Sequence, residues 1–213
     1  MNKEFKQTEI GRIPKEWDVV KLREITLPTR SIDPKRAHLG KFKYVDISSI
    51  DNTLAKIANW TIVGSDNAPS RARKEIKEGD IIFATTRPYL KNIAVIPHEL
   101  DDQICSTGFS VIRPNGVYTV TGWLFYNVLM DRFVSKVSAK MKGATYPAVT
   151  DGDVLSEKIP LPPLPEQKKI AEILMTADKH IKLLKQRKEK LERIKKGLMN
   201  DLLTGKRRVK VGA

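Results

Sequence analysis

The sequence predicts an α+β fold in which a strand-rich globular domain is followed by one long helix of the coiled-coil type. Three observations support this prediction. Short β-type segments recur over residues 1–160, four prolines fall within residues 160–165, and apolar residues then recur at spacings of three and four. We therefore expect two regions, residues 1–160 and residues 161–213, the second made of a proline-rich lead-in, the long helix and a basic tail.

The predicted strands are rich in Val, Ile and Phe and are bounded by turn residues such as Gly79-Asp80 and Pro114-Asn115-Gly116. The clearest segments are residues 42–47, 80–85, 92–96 and 109–112. A helix is predicted over residues 121–139 from the approximate 3.6-residue period of Leu124, Val128, Met130 and Val134. Strands and helices do not alternate regularly, which argues against a doubly wound nucleotide-binding fold.

The proline-rich lead-in covers residues 159–165 and prevents a helix from starting earlier. Pro165 suits the first helical position, where its missing N–H costs little, and Glu166 favours the positive end of the helix dipole. Gly205 is a natural stop after about 38 helical residues, or roughly 57 Å.

The long helix carries a narrow apolar row with the spacing of a coiled-coil seam. Its positions are Ile170, Leu174, Ala177, Ile181, Leu184, Lys188, Leu191, Lys195, Leu198 and Leu202. The two lysines are tolerated if their stems lie along the seam and their ammonium groups reach solvent, and Ile173 and Ile194 widen the row. An isolated helix this polar is marginal, so it requires a partner helix. The alternative is a helix that folds back on its own globular domain.

Charge and composition restrict the partners of the chain. The 213 residues carry a formal net charge of +14, and residues 166–213 hold 15 Lys and Arg against 6 Asp and Glu. Such a balance favours a polyanionic partner, nucleic acid first and an anionic membrane second. Cys105 is the one cysteine, and the sequence has neither an apolar signal segment nor a run long enough to cross a bilayer. We expect a soluble, cytoplasmic protein with no membrane association.

Motifs for catalysis, nucleotide binding or metal binding are missing from the sequence. The sequence contains neither the Gly-x-x-x-x-Gly-Lys-Ser/Thr loop nor the Gly-x-Gly-x-x-Gly loop, which bind phosphates. Metal-ligand spacing is missing at His38, His98 and His180. The sequence around Ser106 and Ser110 does not match that of a nucleophilic serine. The acidic pairs Asp101-Asp102 and Asp151-x-Asp153 fit turns and helix caps better than metal sites. We therefore expect no catalytic residues, no metal site and no cofactor in this chain.

Three basic clusters lie between predicted strands and combine positive charge with hydroxyl and aromatic groups. Cluster 1 is Ser70-Arg71-Ala72-Arg73-Lys74, cluster 2 is Thr85-Thr86-Arg87-Pro88-Tyr89-Leu90-Lys91, and cluster 3 is Lys140-Met141-Lys142-Gly143-Ala144-Thr145-Tyr146-Pro147. Arginine can bind guanine with two hydrogen bonds, whereas lysine and threonine suit phosphates. Candidates for base or groove contact are Arg71, Arg73, Arg87 and Tyr146, and Tyr89 is a further candidate for DNA contact. Candidates for phosphate contact are Lys74, Lys91, Lys142 and Thr145.

Four motifs together resemble the specificity subunits of type I restriction-modification systems over nearly the whole chain. They are Ile10-Gly11-Arg12-Ile13-Pro14-Lys15-Glu16-Trp17 with Val20-Lys21-Leu22; Glu78-Gly79-Asp80-Ile81-Ile82-Phe83-Ala84 with Arg87-Pro88-Tyr89; Ile159-Pro160-Leu161-Pro162-Pro163-Leu164-Pro165-Glu166-Gln167 through Ile170; and Leu202-Leu203-Thr204-Gly205-Lys206. The motif that leads from the prolines into the helix is the most specific of them.

The resemblance implies a target recognition domain over residues 1–160 and a conserved helical region over residues 161–213. It implies that the chain neither cuts nor methylates DNA but binds a bipartite sequence and docks methyltransferase and restriction subunits. S-adenosylmethionine, ATP and Mg²⁺ are then expected on those partners. Because Arg87 lies in a motif shared across different targets, it could serve structure or phosphate positioning instead of base contact.

The sequence departs from the usual family pattern because the recognition domain and the helix each occur once, whereas the common form has two of each. Either the chain is a half-subunit that dimerises or it is truncated, and the motif ending at Thr204-Gly205 favours a complete half-unit. Two chains pairing their helices antiparallel would read an interrupted palindrome, with helix length setting the gap. The alternatives are a DNA-binding regulator or antagonist with the same fold, a structural dimerisation module, and an undetected nuclease.

Overall fold

The computed structural model describes residues 4–143 and 147–210. Within these ranges the chain forms four α-helices: α1 (Thr121–Leu129), α2 (Asp131–Ser138), α3 (Asp151–Leu155) and α4 (Leu164–Leu203). Short 3-10 helices cover Leu22–Glu24, Ile47–Ser49, Ser65–Asn67, Pro88–Leu90 and His98–Leu100. The strands are β1 (Phe5–Thr8), β2 (Gly11–Pro14), β3 (Asp18–Lys21), β4 (Thr26–Leu27), β5 (Lys41–Val45), β6 (Ile50–Asp51), β7 (Lys56–Ile57), β8 (Thr61–Gly64), β9 (Ala72–Ile76), β10 (Ile81–Ala84), β11 (Ile93–Val95), β12 (Gln103–Ser106), β13 (Phe109–Pro114) and β14 (Lys158–Leu161).

Two four-stranded sheets form the centre of the globular part, with strand orders β11-β10-β13-β4 and β8-β5-β12-β9. Strands β5 and β12 run parallel, whereas the other neighbours in these two sheets run antiparallel. Three two-stranded ladders, β1-β2, β6-β7 and β3-β14, complete the strand pairing of the described residues. The β3-β14 ladder joins the start of the chain to the proline-rich lead-in. The predicted α+β class is therefore confirmed.

Strand β10 is buried on both faces and separates two hydrophobic cores. Because side chains alternate along a strand, Ile81 and Phe83 point to one core and Ile82 and Ala84 to the other. The first core includes side chains of α1, α2 and α3, and the second is shared with β5, β9 and β12 of the other sheet. The run Ile81–Ala84 is accordingly continuous and apolar, as expected for a central strand.

The single helix predicted over residues 121–139 is wrong, because α1 and α2 are separate helices that meet at Met130. The backbone of Met130 has φ −61° and ψ 137°, which is extended and not helical. The break directs Phe133, Val134 and Val137 of α2 into the first core, where the Phe133 ring packs edge-on against Phe83 with centroids 5.9 Å apart. Because Met130 fits the apolar period of one continuous helix, the sequence pattern does not indicate this change of direction.

The long helix begins at Leu164, one residue before the predicted start at Pro165, and spans 40 residues. It ends at Leu203, and Gly205 follows with φ +71° while its N–H donates to the Leu202 carbonyl at 3.3 Å. This is the left-handed cap that glycine favours, so the predicted stop is confirmed. No helix in the described part of the chain is long and apolar enough to span a membrane.

The chain divides into two compact units, Met1–Ile170 and Ala171–Ala213. The first unit holds these two cores, a smaller buried cluster of Phe42, Tyr44, Ala72 and Ile104, and the first turns of α4, where Ile170 packs against the first core. The second unit holds the remainder of α4. The assignment of residues 1–160 to target recognition and 161–213 to a helical region concerns function and stays a prediction.

Candidate nucleic-acid interface

Backbone hydrogen bonds bring the three basic clusters into one neighbourhood. The Thr107 N–H donates to the Arg71 carbonyl at 2.8 Å, and the Thr85 N–H and hydroxyl donate to the Gly108 carbonyl at 2.8 and 2.9 Å. The turn at residues 107–108 therefore joins cluster 1 to cluster 2. The Arg87 N–H then donates to the Pro147 carbonyl at 3.0 Å, which joins cluster 2 to cluster 3. Segments that are far apart in the sequence are thus neighbours, and we call their exposed basic residues together the basic surface.

Cluster 2 is held in an uncommon backbone conformation. Arg87 and Lys91, on either side of the 3-10 helix Pro88–Leu90, both have left-handed backbones, with φ +50° and +53°. Side chains other than glycine, asparagine and aspartate rarely adopt this region, and strained residues of this kind concentrate at functional sites. The Asn52 side chain supports the segment by donating to the Leu90 carbonyl at 3.0 Å. The Arg87 side chain and the Tyr89 ring, which is 51% exposed, lie at the surface of this loop.

Several predicted contact residues are already engaged by carboxylates of the same chain. Arg73 lies 3.5 Å from Asp33, and Lys91 pairs with Asp131. The backbone N–H of Arg36 and then the charge of Arg73 hold the pKa of the Asp33 carboxyl below its ordinary value. These ion pairs orient the basic side chains but also compete with a phosphate for them.

Among the predicted phosphate contacts that the structure describes, Lys74 is the least accessible, with a side chain only 16% exposed. Its ammonium group donates to the Phe109 carbonyl at 2.6 Å and pairs with Asp151 at the start of α3. A half-buried lysine with two partners of this kind stabilises the packing of cluster 1 against α3.

Arg71 and Lys142 are exposed. The backbone of Lys142 exchanges two hydrogen bonds with Ala148, which ties the two ends of cluster 3 together, and Gly143 follows with φ +93°. Because both side chains are exposed, both are well placed for an external partner. The predicted contacts at Thr145 and Tyr146 lie outside the described residues.

Arg30 is a candidate that sequence reasoning missed. The segment around it lies beside β9, because Ser31 bridges to Lys74, the Ile32 N–H donates to the Arg73 carbonyl and the Glu75 N–H donates to the Arg30 carbonyl. Arg30 is exposed and therefore extends the surface of cluster 1. Since this pairing joins segments more than 40 residues apart, no local pattern could have indicated it.

Asp80, in the motif that runs from Glu78 to Ala84, has a structural role. Arg113 donates two parallel hydrogen bonds to the Asp80 carboxylate, Nε to Oδ1 at 2.9 Å and Nη2 to Oδ2 at 2.7 Å, and the Asp80 side chain is 2% exposed. The Lys77 N–H also donates to Asp80 at 2.9 Å. The carboxylate raises the pKa of Arg113 above its ordinary value, so this guanidinium stays charged and fixes the turn that precedes β10.

Asp153 has the helix-capping role that the sequence predicted, and His98 lies at the surface. Asp153 accepts from the Thr150 N–H at 2.8 Å and caps α3, and the Thr150 hydroxyl lowers the pKa of this carboxyl. His98 contacts Glu78 at the surface, 2.9 Å from Nδ1 to Oε2, and that carboxylate raises the pKa of His98. Within residues 4–143 and 147–210 no group of three or more His, Cys, Asp and Glu side chains could hold a metal ion.

The apolar row on α4 is exposed in the second unit. Its large members, from Leu174 at 37% to Leu184 at 64%, leave much of their surface open to solvent. The remaining exposed members of the row are Ala177, Ile181, Leu191, Leu198 and Leu202. A surface lysine at a seam position, Lys188, lies 3.8 Å from Glu192 one turn away, as expected for an ammonium group that reaches out of the seam.

Comparison with known proteins places these features in a family. A family model described as "Type I restriction modification DNA specificity domain" matches residues 14–193. The chain is 33% identical over 225 aligned residues to the type I restriction enzyme MjaVIII specificity subunit of Methanocaldococcus jannaschii, with 98% of this chain and 50% of that protein covered. It is 30% identical to the HindI specificity subunit of Haemophilus influenzae over 67% of this chain and 32% of that protein.

Two solved structures share the fold. The HsdS subunit from Thermoanaerobacter tengcongensis matches with a TM-score of 0.77 and 44% identity, over 88% of this chain and 48% of that one. A chain from work on complex assembly and conformational transition of the type I R-M system matches with a TM-score of 0.78 and 42% identity, over 94% and 52%. The chain thus spans about half the length of these relatives. Since the family model covers most of the sequence and the relatives share its fold, the chain belongs to the type I restriction-modification specificity subunit family.

Proposed function

We propose that this chain is a DNA sequence-specificity unit that reads one half of a bipartite target. The observation that carries the proposal is one basic surface, built from three clusters, in a chain whose long helix bears one exposed apolar row. The basic surface supplies phosphate contacts, and arginines within it supply base contacts in a groove. Arg30, Arg71, Arg87 and Tyr89 are the proposed base or groove contacts, and Lys142 is the proposed phosphate contact.

Two copies pair through α4 in this proposal. An antiparallel arrangement buries the seam of each helix against the other and relates the two recognition domains by a two-fold axis. Identical domains so related read the same half-site in opposite orientations. The preferred DNA is therefore an interrupted palindrome.

The chain itself catalyses no reaction in this proposal. Methyltransferase subunits that carry S-adenosylmethionine, and restriction subunits that use ATP and Mg²⁺, dock on the specificity unit in the cytoplasm and act on the DNA it selects. The alternatives are a DNA-binding regulator that assembles no enzyme and a structural dimerisation module. Co-purification with a methyltransferase subunit supports the proposal, and sequence-specific binding without that subunit supports the regulator.

Selection of bound duplexes from a randomised library, at a stated salt concentration, tests the DNA target. The expected result is two inverted copies of one half-site separated by a fixed spacer. Recovery of a single half-site, of two unlike half-sites, or of no preferred sequence would contradict the proposal. The seam variant Leu184→Lys/Leu191→Lys should select the same half-site, but the selected duplexes should no longer require a second, inverted copy of it. Ile62→Lys, at an exposed apolar position on β8, is the matched control.

A further inference from the structure

Gln167, in the first turn of α4, is fully buried, and its amide makes every hydrogen bond open to it. The Thr119 hydroxyl donates to Oε1 at 2.9 Å and the Val120 N–H donates to the same oxygen at 3.3 Å. Nε2 donates to the carbonyls of Tyr118 at 3.0 Å and Pro162 at 2.9 Å. An amide has two donors and two acceptor lone pairs, so nothing is left unpaired. Rotating the amide by 180° would place its oxygen against two carbonyls, so these partners also fix its orientation.

Two tryptophans complete this attachment of the helix. The Trp17 indole N–H donates to Glu166 Oε2 at 3.0 Å, and its ring meets Trp123 edge-on with centroids 5.5 Å apart. The Trp123 N–H in turn donates to the Pro160 carbonyl at 3.1 Å. We call the group Trp17, Thr119, Trp123, Pro160 and Gln167 the helix socket. It joins the motif near the start of the chain to the motif that leads into α4.

The socket differs from ordinary apolar packing because hydrogen bonds are directional. Apolar side chains at the base of a helix tolerate small shifts, whereas a buried amide with four partners loses a bond when the helix turns or slides. A fully satisfied buried network therefore specifies one geometry. The socket lies within the first unit and holds residues 164–170 of α4 there.

We infer that Gln167 is a positioning residue that sets how strictly the spacer between half-sites is measured. The inference rests on the proposed function, since it requires two recognition domains joined through paired helices. The part of α4 beyond the socket is roughly 50 Å long at 1.5 Å per residue, so a tilt of about 5° at its base moves its far end by about 4 Å. That exceeds the 3.4 Å rise of one base pair. A loosened socket thus blurs the spacer by about one base pair without touching any DNA contact.

The test uses the full chain and duplexes that carry the selected half-sites at the best spacer and at one and two base pairs more or fewer. Dissociation constants are measured for the wild type, Gln167→Ala, Thr119→Val and the control Gln186→Ala, at an exposed glutamine of the same helix. Gln167→Ala should lower the discrimination between the best spacer and its one-base-pair neighbours at least about fivefold. Base preferences within each half-site should not change, and Gln186→Ala should match the wild type.

Two results would overturn the inference. One is unchanged spacer discrimination in Gln167→Ala; if affinity also falls equally at every spacer, the residue is structural only. If Gln167→Ala does not fold, Thr119→Val decides, because it removes one donor and keeps the side-chain shape; unchanged discrimination there is the second. A wild type with no preferred spacer would instead contradict the proposed function, and the inference with it.

Discussion

The basic residues of this chain differ in what their side chains are free to do. Lys74 is committed to Phe109 and Asp151, and Lys91 and Arg73 are paired with carboxylates. Arg30, Arg71 and Lys142 are exposed. The sequence predicted that cluster residues contact DNA but could not separate these classes, because the carboxylates that engage them come from distant segments.

Arg87 and Lys142 should respond differently to substitution. Arg87→Ala should relax specificity at one base pair, by about 1–3 kcal/mol, because guanine loses a partner that makes two hydrogen bonds. Lys142→Ala should weaken binding to all sequences alike and reduce the slope of log affinity against log salt by about 0.9, because one phosphate contact is lost. Competition binding with single-base target variants over a range of salt concentrations measures both effects.

Arg87→Lys is the control that separates base from phosphate contact at that position, since lysine keeps the charge but not the planar fork. Relaxed specificity in Arg87→Lys supports base contact. If Arg87→Ala recognises the same target with the same affinity, Arg87 is not a base contact. Its role would then be limited to the strained loop.

Elements with a local signal were predictable from the sequence. The apolar run around Ile81–Ala84 predicts β10, and the prolines and Gly205 predict the two ends of α4 to within a residue or two. No proline or glycine marks the break at Met130, so the sequence pattern predicts one helix where the structure has α1 and α2. The β3-β14 ladder and the pairing of Ser31 with Lys74 depend on contacts between distant segments, which a local pattern does not encode.

The turn before β10 should depend strongly on its buried ion pair. Asp80→Ala leaves the Arg113 guanidinium, 15% exposed, without its carboxylate, and a broken buried pair typically costs about 3–5 kcal/mol. Asp102→Asn is the matched control, because the Lys77–Asp102 pair is exposed, such pairs contribute about 0–1 kcal/mol, and asparagine tolerates the left-handed backbone at this position, φ +53°. Urea unfolding of both variants measures the two free energies. Equal losses would show that the Asp80 pair is not a main support of the turn.

Over the whole molecule, the features that support the two proposed roles lie in separate parts of the chain. The basic clusters and the socket belong to Met1–Ile170, and the exposed apolar row belongs mainly to Ala171–Ala213. Much of the positive charge lies on the helix and tail, yet the candidate base contacts lie on the loops of the first unit. The proposed function accordingly gives spacing and assembly to the helix, and sequence reading to the loops.

A longer helix should move the half-sites apart without altering them. Duplicating residues 184–197 adds two heptads, about 21 Å, and preserves the seam because 14 residues are close to four helical turns. Library selection with this variant should return the same half-sites separated by a longer spacer. An unaltered spacer would contradict the role of α4 as the element that sets the gap. A control for charge keeps the original helix length and changes the exposed non-seam lysines of residues 184–197 to glutamine.

Pairing of two chains through α4 is the central claim, and the molecular mass in solution tests it most directly. Light scattering coupled to size-exclusion chromatography, on the chain alone, should give about twice the chain mass of 24.1 kDa. The seam variant Leu184→Lys/Leu191→Lys should shift that mass towards the single chain, because it places charge in the row that pairing buries. A wild-type mass of one chain, with the seam variant unchanged, would contradict the account.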